Sequence, residues 1–355
     1  MAQPVRTMSP FPRLVLATLA VAGCVRHHID PDATRHNCPD GAVSPMATDS
    51  VLLDAAAAVV RIGPRLRSAW PGFWSGEEPF ILTVPGQAAV VVRRYDAPDR
   101  FDPVCGPGVP QAIRGKVYIH RGVLPDLMAS RGYFDLAYPL GTSTATAVPI
   151  ADSTEATVAL LFHEAFHAFQ DRTFPPPSRD EAAAPEVYSD SAFTKLAELE
   201  RRLLAAALDE HADRRSRLLT AYLAVRAQRE EQMADIAILT GRELEAVEGT
   251  AELVGTYAAT FVAAEPADGV AARVQEMLLN PLDRALDDWW RHRMRLYGTG
   301  AALGLLLDQM KVEWRARVQE GEYLDQQLAS ALGSPPHDSA LVSWAILEFG
   351  SSTPL

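Results

Sequence analysis

Residues 160–171 of this chain read Leu-Leu-Phe-His-Glu-Ala-Phe-His-Ala-Phe-Gln-Asp, and this stretch restricts the fold most tightly. The run is apolar and helix-forming. Thr154 with Glu155 gives a start signal, and Pro175, Pro176 and Pro177 give a stop. At about 3.6 residues per turn, His163 and His167 leave one face a turn apart, so two imidazoles can hold one metal ion. Glu164 sits about 100° around the helix. There it is beside that ion without being the next ligand in line, the place for a general base that holds a water. The competing interpretation is an ordinary buried helix carrying two His and one Glu. Against it, Leu160, Leu161, Phe162, Phe166 and Phe169 enclose the polar trio in apolar side chains, as the chemistry needs.

This H-E-x-x-H helix resembles the active-site helix of the zincin metallopeptidases, in which the two His bind zinc and the Glu activates water. The resemblance implies an α+β, zincin-like fold: a small N-terminal α/β lobe with β-strands, a mostly α-helical C-terminal lobe, and the active-site cleft between them. The metzincin branch would place Gly at position 170 and His at 173. The chain has Gln170 and Thr173 there, so that branch is excluded. The gluzincin branch takes its third ligand, a Glu, from a later helix.

Residues 243–257 hold the candidates. Glu248 and Glu252 are four apart on one helix face, among small residues that permit close approach to another helix. Burying two carboxylates is costly unless a cation or hydrogen bonds offset it. The stretch resembles the second gluzincin motif, which implies Glu248 as third ligand and Glu252 as the acceptor that fixes a His ring, His163 in the first instance. Glu252 remains the rival ligand. The fuller family pattern has Asn before the ligand and Asp after it, whereas here Val247 and Glu252 stand there. Glu243 and Glu245 read as surface carboxylates. Three protein ligands leave one position open, as in a catalytic site, and imidazole and carboxylate donors suit Zn²⁺.

A third stretch, residues 289–302, contains Tyr297, Gly300 and Ala301 as Y-x-x-G-A in an apolar helix. It is similar to the Tyr segment of the aminopeptidase branch, which implies that Tyr297 stabilises an oxyanion. The alternative is helix packing through Gly298, Gly300 and Gly304. His292, Arg293 and Arg295 are further candidate donors or substrate anchors. The G-x-M-E-N-like run of that branch is absent, so aminopeptidase specificity does not carry over.

The N-terminus has the features of an export signal. Arg6 and Arg13 precede the apolar run 14–22, too short to span a bilayer, and Val21-Ala22-Gly23-Cys24 resembles a bacterial lipobox. A lipoprotein signal peptide over 1–23, lipidation at Cys24 and a tether over 24–48 follow from that resemblance. A plain signal peptide with an incidental Cys is the alternative. Cys38 and Cys105 then form an even pair, offering a disulfide in an oxidising compartment or two free thiols. The formal charge of −12 over 355 residues, with no basic stripe, argues against nucleic acid as a partner.

Between these motifs, the pattern predicts a helix over 50–66, strands over 80–84, 88–93 and 116–120, and a hairpin turn at Pro85-Gly86-Gln87. Residues 141–148 resemble the zincin edge strand on which a substrate backbone pairs, and read equally as a Ser/Thr-rich loop. Helices are expected over 192–212 and 215–240. The composition shift near 150 divides an N-terminal α+β lobe, 49–150, from a helical catalytic lobe, 151–355.

The expectation is an exported, lipid-anchored zinc metallohydrolase of the cell envelope, facing the periplasm or exterior, most simply a peptidase with a peptide or protein substrate. A non-catalytic envelope lipoprotein on a zincin scaffold, and a zinc hydrolase of a non-peptide amide, are the rivals.

Overall fold

In the computed structural model, the described residues are 38–92, 99–122, 136–140, 143–176, 191–266, 268–280, 288–333 and 338–350. Residues 1–37, with the expected signal peptide, Cys24 and the first part of the expected tether, lie outside them. The first α-helix among the described residues is α1 (Ser50–Ile62), which ends where Gly63-Pro64 turns it into a 3₁₀ segment. That end is four residues short of the expected one, because Pro64 has no N–H to continue the α-helical ladder.

Among the described residues six strands follow: β1 (Phe80–Val84), β2 (Ala88–Val92), β3 (Asp102–Pro103), β4 (Val117–Arg121), β5 (Leu136–Leu140) and β6 (Ser143–Pro149). They form one sheet in the order β3-β4-β2-β1-β6-β5. The predicted hairpin pairs Phe80 with Val92 and Val84 with Ala88 across the Pro85-Gly86-Gln87 turn. Strand β6 runs parallel to β1, with Phe80 beside Thr146, and antiparallel to β5, with Leu136 beside Ala147. Residues 143–149 are therefore neither a loop nor an edge. Both sides of β6 are already hydrogen-bonded, so it has no free ladder for a substrate strand, and β5 and β3 hold the edges.

Alternation along the strands sends Phe80, Leu82, Val90, Val92, Val117, Ile119 and Val148 into the main core. Ile81, Ala89, Val91, Ala145 and Ala147 make a smaller apolar layer on the other face, with Phe101. Cys38 is disulfide-bonded to Cys105. Beside it, Val43 bridges Val104, so this early segment is fastened to the β3 side of the sheet.

After the sheet the chain is helical: α2 (Thr154–Thr173), α3 (Ser191–Leu208), α4 (Ala212–Glu230), α5 (Asp235–Leu244), a π-helical turn (Glu245–Gly249), α6 (Thr250–Val262), α7 (Gly269–Leu279), α8 (Asp288–Gln309), α9 (Arg315–Gln319), α10 (Leu324–Leu332) and α11 (Ser339–Phe349). An N-terminal mixed-sheet lobe followed by a largely helical one is thus the architecture. One apolar core runs through both, from α1 and the sheet to α8 and α11.

The helix expected over 215–240 is broken at residues 231–234. The break turns α5 back so that Arg242 reaches Glu230 and Asp325 at 3.0 and 2.9 Å. Tertiary ion pairing overrides local propensity there.

Among the described residues, no helix is long and apolar enough to cross a membrane.

Candidate metal centre

Helix α2 starts on Ser153, whose side chain accepts from the Ala156 amide at 3.0 Å. It stops at Thr173, just before Pro175. Its apolar face carries Phe162, Phe166 and Phe169 into an aromatic cluster. Phe162 lies 4.8 Å from Trp74, and Phe166 lies 4.8 Å from Trp70 and 5.0 Å from Phe73. Each such pair adds about 0.5–1.5 kcal/mol beyond the area it buries. The next residues along, His163 and His167, are rotated about 100° from that face and so point away from the cluster.

Their partner comes from the π-turn. Glu248 lies within this turn and faces α2. Glu248 Oε2 lies 3.5 Å from His163 Nε2 and 3.2 Å from His167 Nε2, and the two Nε2 atoms are 3.1 Å apart. All three donor atoms fall within 4.8 Å of one another. The outer ring nitrogens are engaged separately, His163 Nδ1 by Glu252 Oε2 at 3.2 Å and His167 Nδ1 by Gln170 Oε1 at 2.7 Å. Glu248, the expected third ligand, and Glu252, the expected ring acceptor, thus occupy distinct places.

The turn gets this close because glycines meet there. A Cβ on Gly300 of α8 would fall into the Glu245 carbonyl and the Gly249 Cα, and one on Gly249 into the Gly300 backbone. On α6, a Cβ at Gly255 would press on the Ala159 carbonyl of α2 at 3.0 Å. Gly300 therefore serves packing, one of the two interpretations of its motif. The same helix also carries Tyr297 to the site, its ring stacked on that of His163 at 5.7 Å and 9°. Arg293 donates to Glu248 Oε1 at 2.5 Å, leaving Oε2 to the imidazoles.

Two of the alternative donors are elsewhere. Arg295 is buried and bonded to Glu200 at 3.3 Å, and His292 lies 3.3 Å from Arg295. Both belong to an internal polar network, as does Glu245. Glu245, expected at the surface, is 1 % exposed. It receives both Arg226 Nη atoms at 3.1 and 2.8 Å and the Thr299 hydroxyl at 2.7 Å. The carboxylate went inside because Arg226, 19 residues earlier, neutralises it there.

Electrostatics favour a cation at the cluster. Burial alone would lower His163, yet hydrogen bonds to Glu248 and Glu252 outweigh it and push the imidazole up to about 10. Burial would raise Glu248, but His163, His167 and Arg293 hold its carboxyl well below the usual range. Burial and the Glu248 charge push the Tyr297 phenol far up, so it stays protonated and able to donate. Glu164 is half-buried and its charge acts on His163.

The donor set fits a divalent zinc-type ion. Two imidazoles present the same ring nitrogen to one carboxylate oxygen, with both outer nitrogens already bonded. The buried His/His/Glu cluster is consistent with a metal-dependent hydrolytic site. Sequence reasoning missed Gln170 and the contact of Arg293 with Glu248. Gln170 carried a signal, since 163, 167 and 170 share the i, i+4, i+7 face of α2. No protein-family model, no curated protein and no solved structure matches the chain.

Proposed function

We propose that the protein is a zinc-dependent metallohydrolase of the gluzincin kind, acting on peptide bonds. The observation that carries this reading is the convergence of His163, His167 and Glu248 within 4.8 Å, with Glu164 one residue along the same helix. Held by those three side chains, zinc would supply Lewis acidity, polarising a carbonyl and acidifying a water. The chain's own residues do the rest. Glu164, exposed enough to meet solvent and not among the three ligands, takes a proton from water and returns it to the leaving amine. Tyr297, protonated and beside Glu248, donates a hydrogen bond to the oxygen on which charge develops. Arg293 keeps one Glu248 oxygen occupied, so the carboxylate offers the metal a single oxygen.

Metal analysis of the purified protein should give about one zinc per chain, lost in the His163→Ala, His167→Ala double variant. Stoichiometric zinc in that variant overturns the site. Zinc-loaded wild type should cut members of a mixed peptide library, and a chelator should stop it. A loaded protein that leaves the library intact hands the site to the non-catalytic scaffold reading.

The proposal extends to export and lipid anchoring at Cys24. The Cys38–Cys105 bond supports the first, since disulfides persist in oxidising compartments. The lipobox-like Val21-Ala22-Gly23-Cys24 supports the second. Metabolic labelling with a fatty-acid analogue should mark the wild type and spare Cys24→Ser, and equal labelling of both rules the anchor out.

A further inference from the structure

We propose that Gln170 is a positioning residue of the metal centre: one side-chain amide sets the ring of His167 and ties helix α2 to the π-turn that presents Glu248. The proposal rests on the metal-site reading above. Gln170 is 4 % exposed and uses both ends of its carboxamide. Oε1 accepts from His167 Nδ1 at 2.7 Å. Nε2 donates to the Val247 carbonyl at 2.8 Å and to Thr250 Oγ1 at 2.9 Å.

The orientation of the amide follows from its partners. The Val247 carbonyl can only accept, so the NH₂ end must face it. Thr250 Oγ1 donates to the Ala246 carbonyl at 2.6 Å, which leaves its lone pairs to accept from Gln170. The carbonyl end is then fixed toward His167, and an acceptor there requires the proton on Nδ1. In the neutral imidazole that a metal requires, the Nδ1 proton then leaves the Nε2 lone pair for an ion that His163 Nε2 and Glu248 Oε2 also face; without an ion, Nε2 carries a proton and donates to Glu248. The tie lands on the peptide unit that joins Val247 to Glu248, 77 residues away in sequence. One side chain therefore places two ligands from separate elements. Burial from water strengthens each of its hydrogen bonds.

Two variants divide the role. Gln170→Met keeps the length and removes every hydrogen bond. Gln170→Glu keeps an acceptor for His167 and loses both donors to the turn. Competition with a chromophoric chelator should show zinc binding weakened about 10- to 100-fold in Gln170→Met. Gln170→Glu should recover part of that loss. In the zinc-free proteins, amide hydrogen exchange over 245–250 should be faster in both variants, with exchange over α2 unchanged. Wild-type zinc affinity in Gln170→Met overturns the proposal. So does faster exchange spread over the whole chain, which would show general destabilisation in place of a local tie. If the wild type itself binds no zinc, the metal reading fails, and unchanged exchange over 245–250 in Gln170→Met overturns the tie.

Discussion

Helix α2 and the π-turn bring His163, His167 and Glu248, the candidate ligands, to one point, and they are held there by opposite kinds of force. Helix α2 is a regular 20-residue helix whose apolar side is seated among Trp70, Phe73, Trp74 and Phe174. That burial is strong but non-directional, and the helix period alone puts His163 above His167. The π-turn is five residues long and is held by directed contacts. Arg226 and Thr299 saturate Glu245, Gln170 takes the Val247 carbonyl, and Gly300 lies against Gly249. A π-turn is rare and is frequently found at functional sites. On the first element the functional groups can be changed with the scaffold intact. On the second, scaffold and function are the same contacts.

The sharpest test of that contrast is on α2. Glu164→Gln is nearly isosteric and removes only a proton acceptor, so zinc content and folding should stay close to wild type. Hydrolysis of any peptide substrate should drop by about 10²–10⁴-fold. Tyr297→Phe should cost somewhat less, about 10²–10³-fold, as the loss of one oxyanion donor beside a metal. Full zinc with unchanged turnover in Glu164→Gln would remove the general-base assignment.

A change behind the π-turn should act in the other way. Arg226→Met leaves Glu245 buried without its main partner, and breaking such a pair costs about 3–5 kcal/mol. Denaturant titration should show that loss. Zinc affinity of the remaining folded protein should fall as well, since Glu245 and Glu248 share five residues of turn. A destabilised protein with wild-type zinc affinity would show that the network supports the fold but not the ligand.

The same contrast explains what the sequence made legible. His163, Glu164 and His167 are readable because their relation is local, set by 3.6 residues per turn. The strands over 80–84 and 88–92 are readable for the same reason, with period two and a Gly86 turn. Glu248 and Glu252 were within reach because small residues around them mark close packing. The π-turn itself, the burial of Glu245, the contact of Arg293 with Glu248 and the contacts of the Gln170 amide nitrogen with the turn depend on partners 19 to 80 residues away. No periodicity encodes those. Strand β6 shows the limit from another side. Its Ser/Thr-rich sequence looks like an edge or a loop, and its central place follows from pairing with β5, whose sequence gave no cue.

The gentlest change that should separate packing from chemistry is a single methyl group on α8. Gly298 and Gly300 are two residues apart, so they face different neighbours. A Cβ at Gly298 meets the flexible Met277 side chain at 3.4–3.5 Å, which can yield. Gly298→Ala should be neutral or gain up to about 1 kcal/mol in helix propensity. A Cβ at Gly300 meets only backbone, the Glu245 carbonyl and the Gly249 Cα, and neither can rotate away. Gly300→Ala should therefore cost about 1–3 kcal/mol, typical of overpacking, despite the same propensity gain. Because the displaced backbone is the π-turn, zinc affinity should fall with it, while His163 and His167 keep their places on α2. Equal stability and zinc affinity in the two variants would mean that the turn reaches α2 by its polar contacts alone.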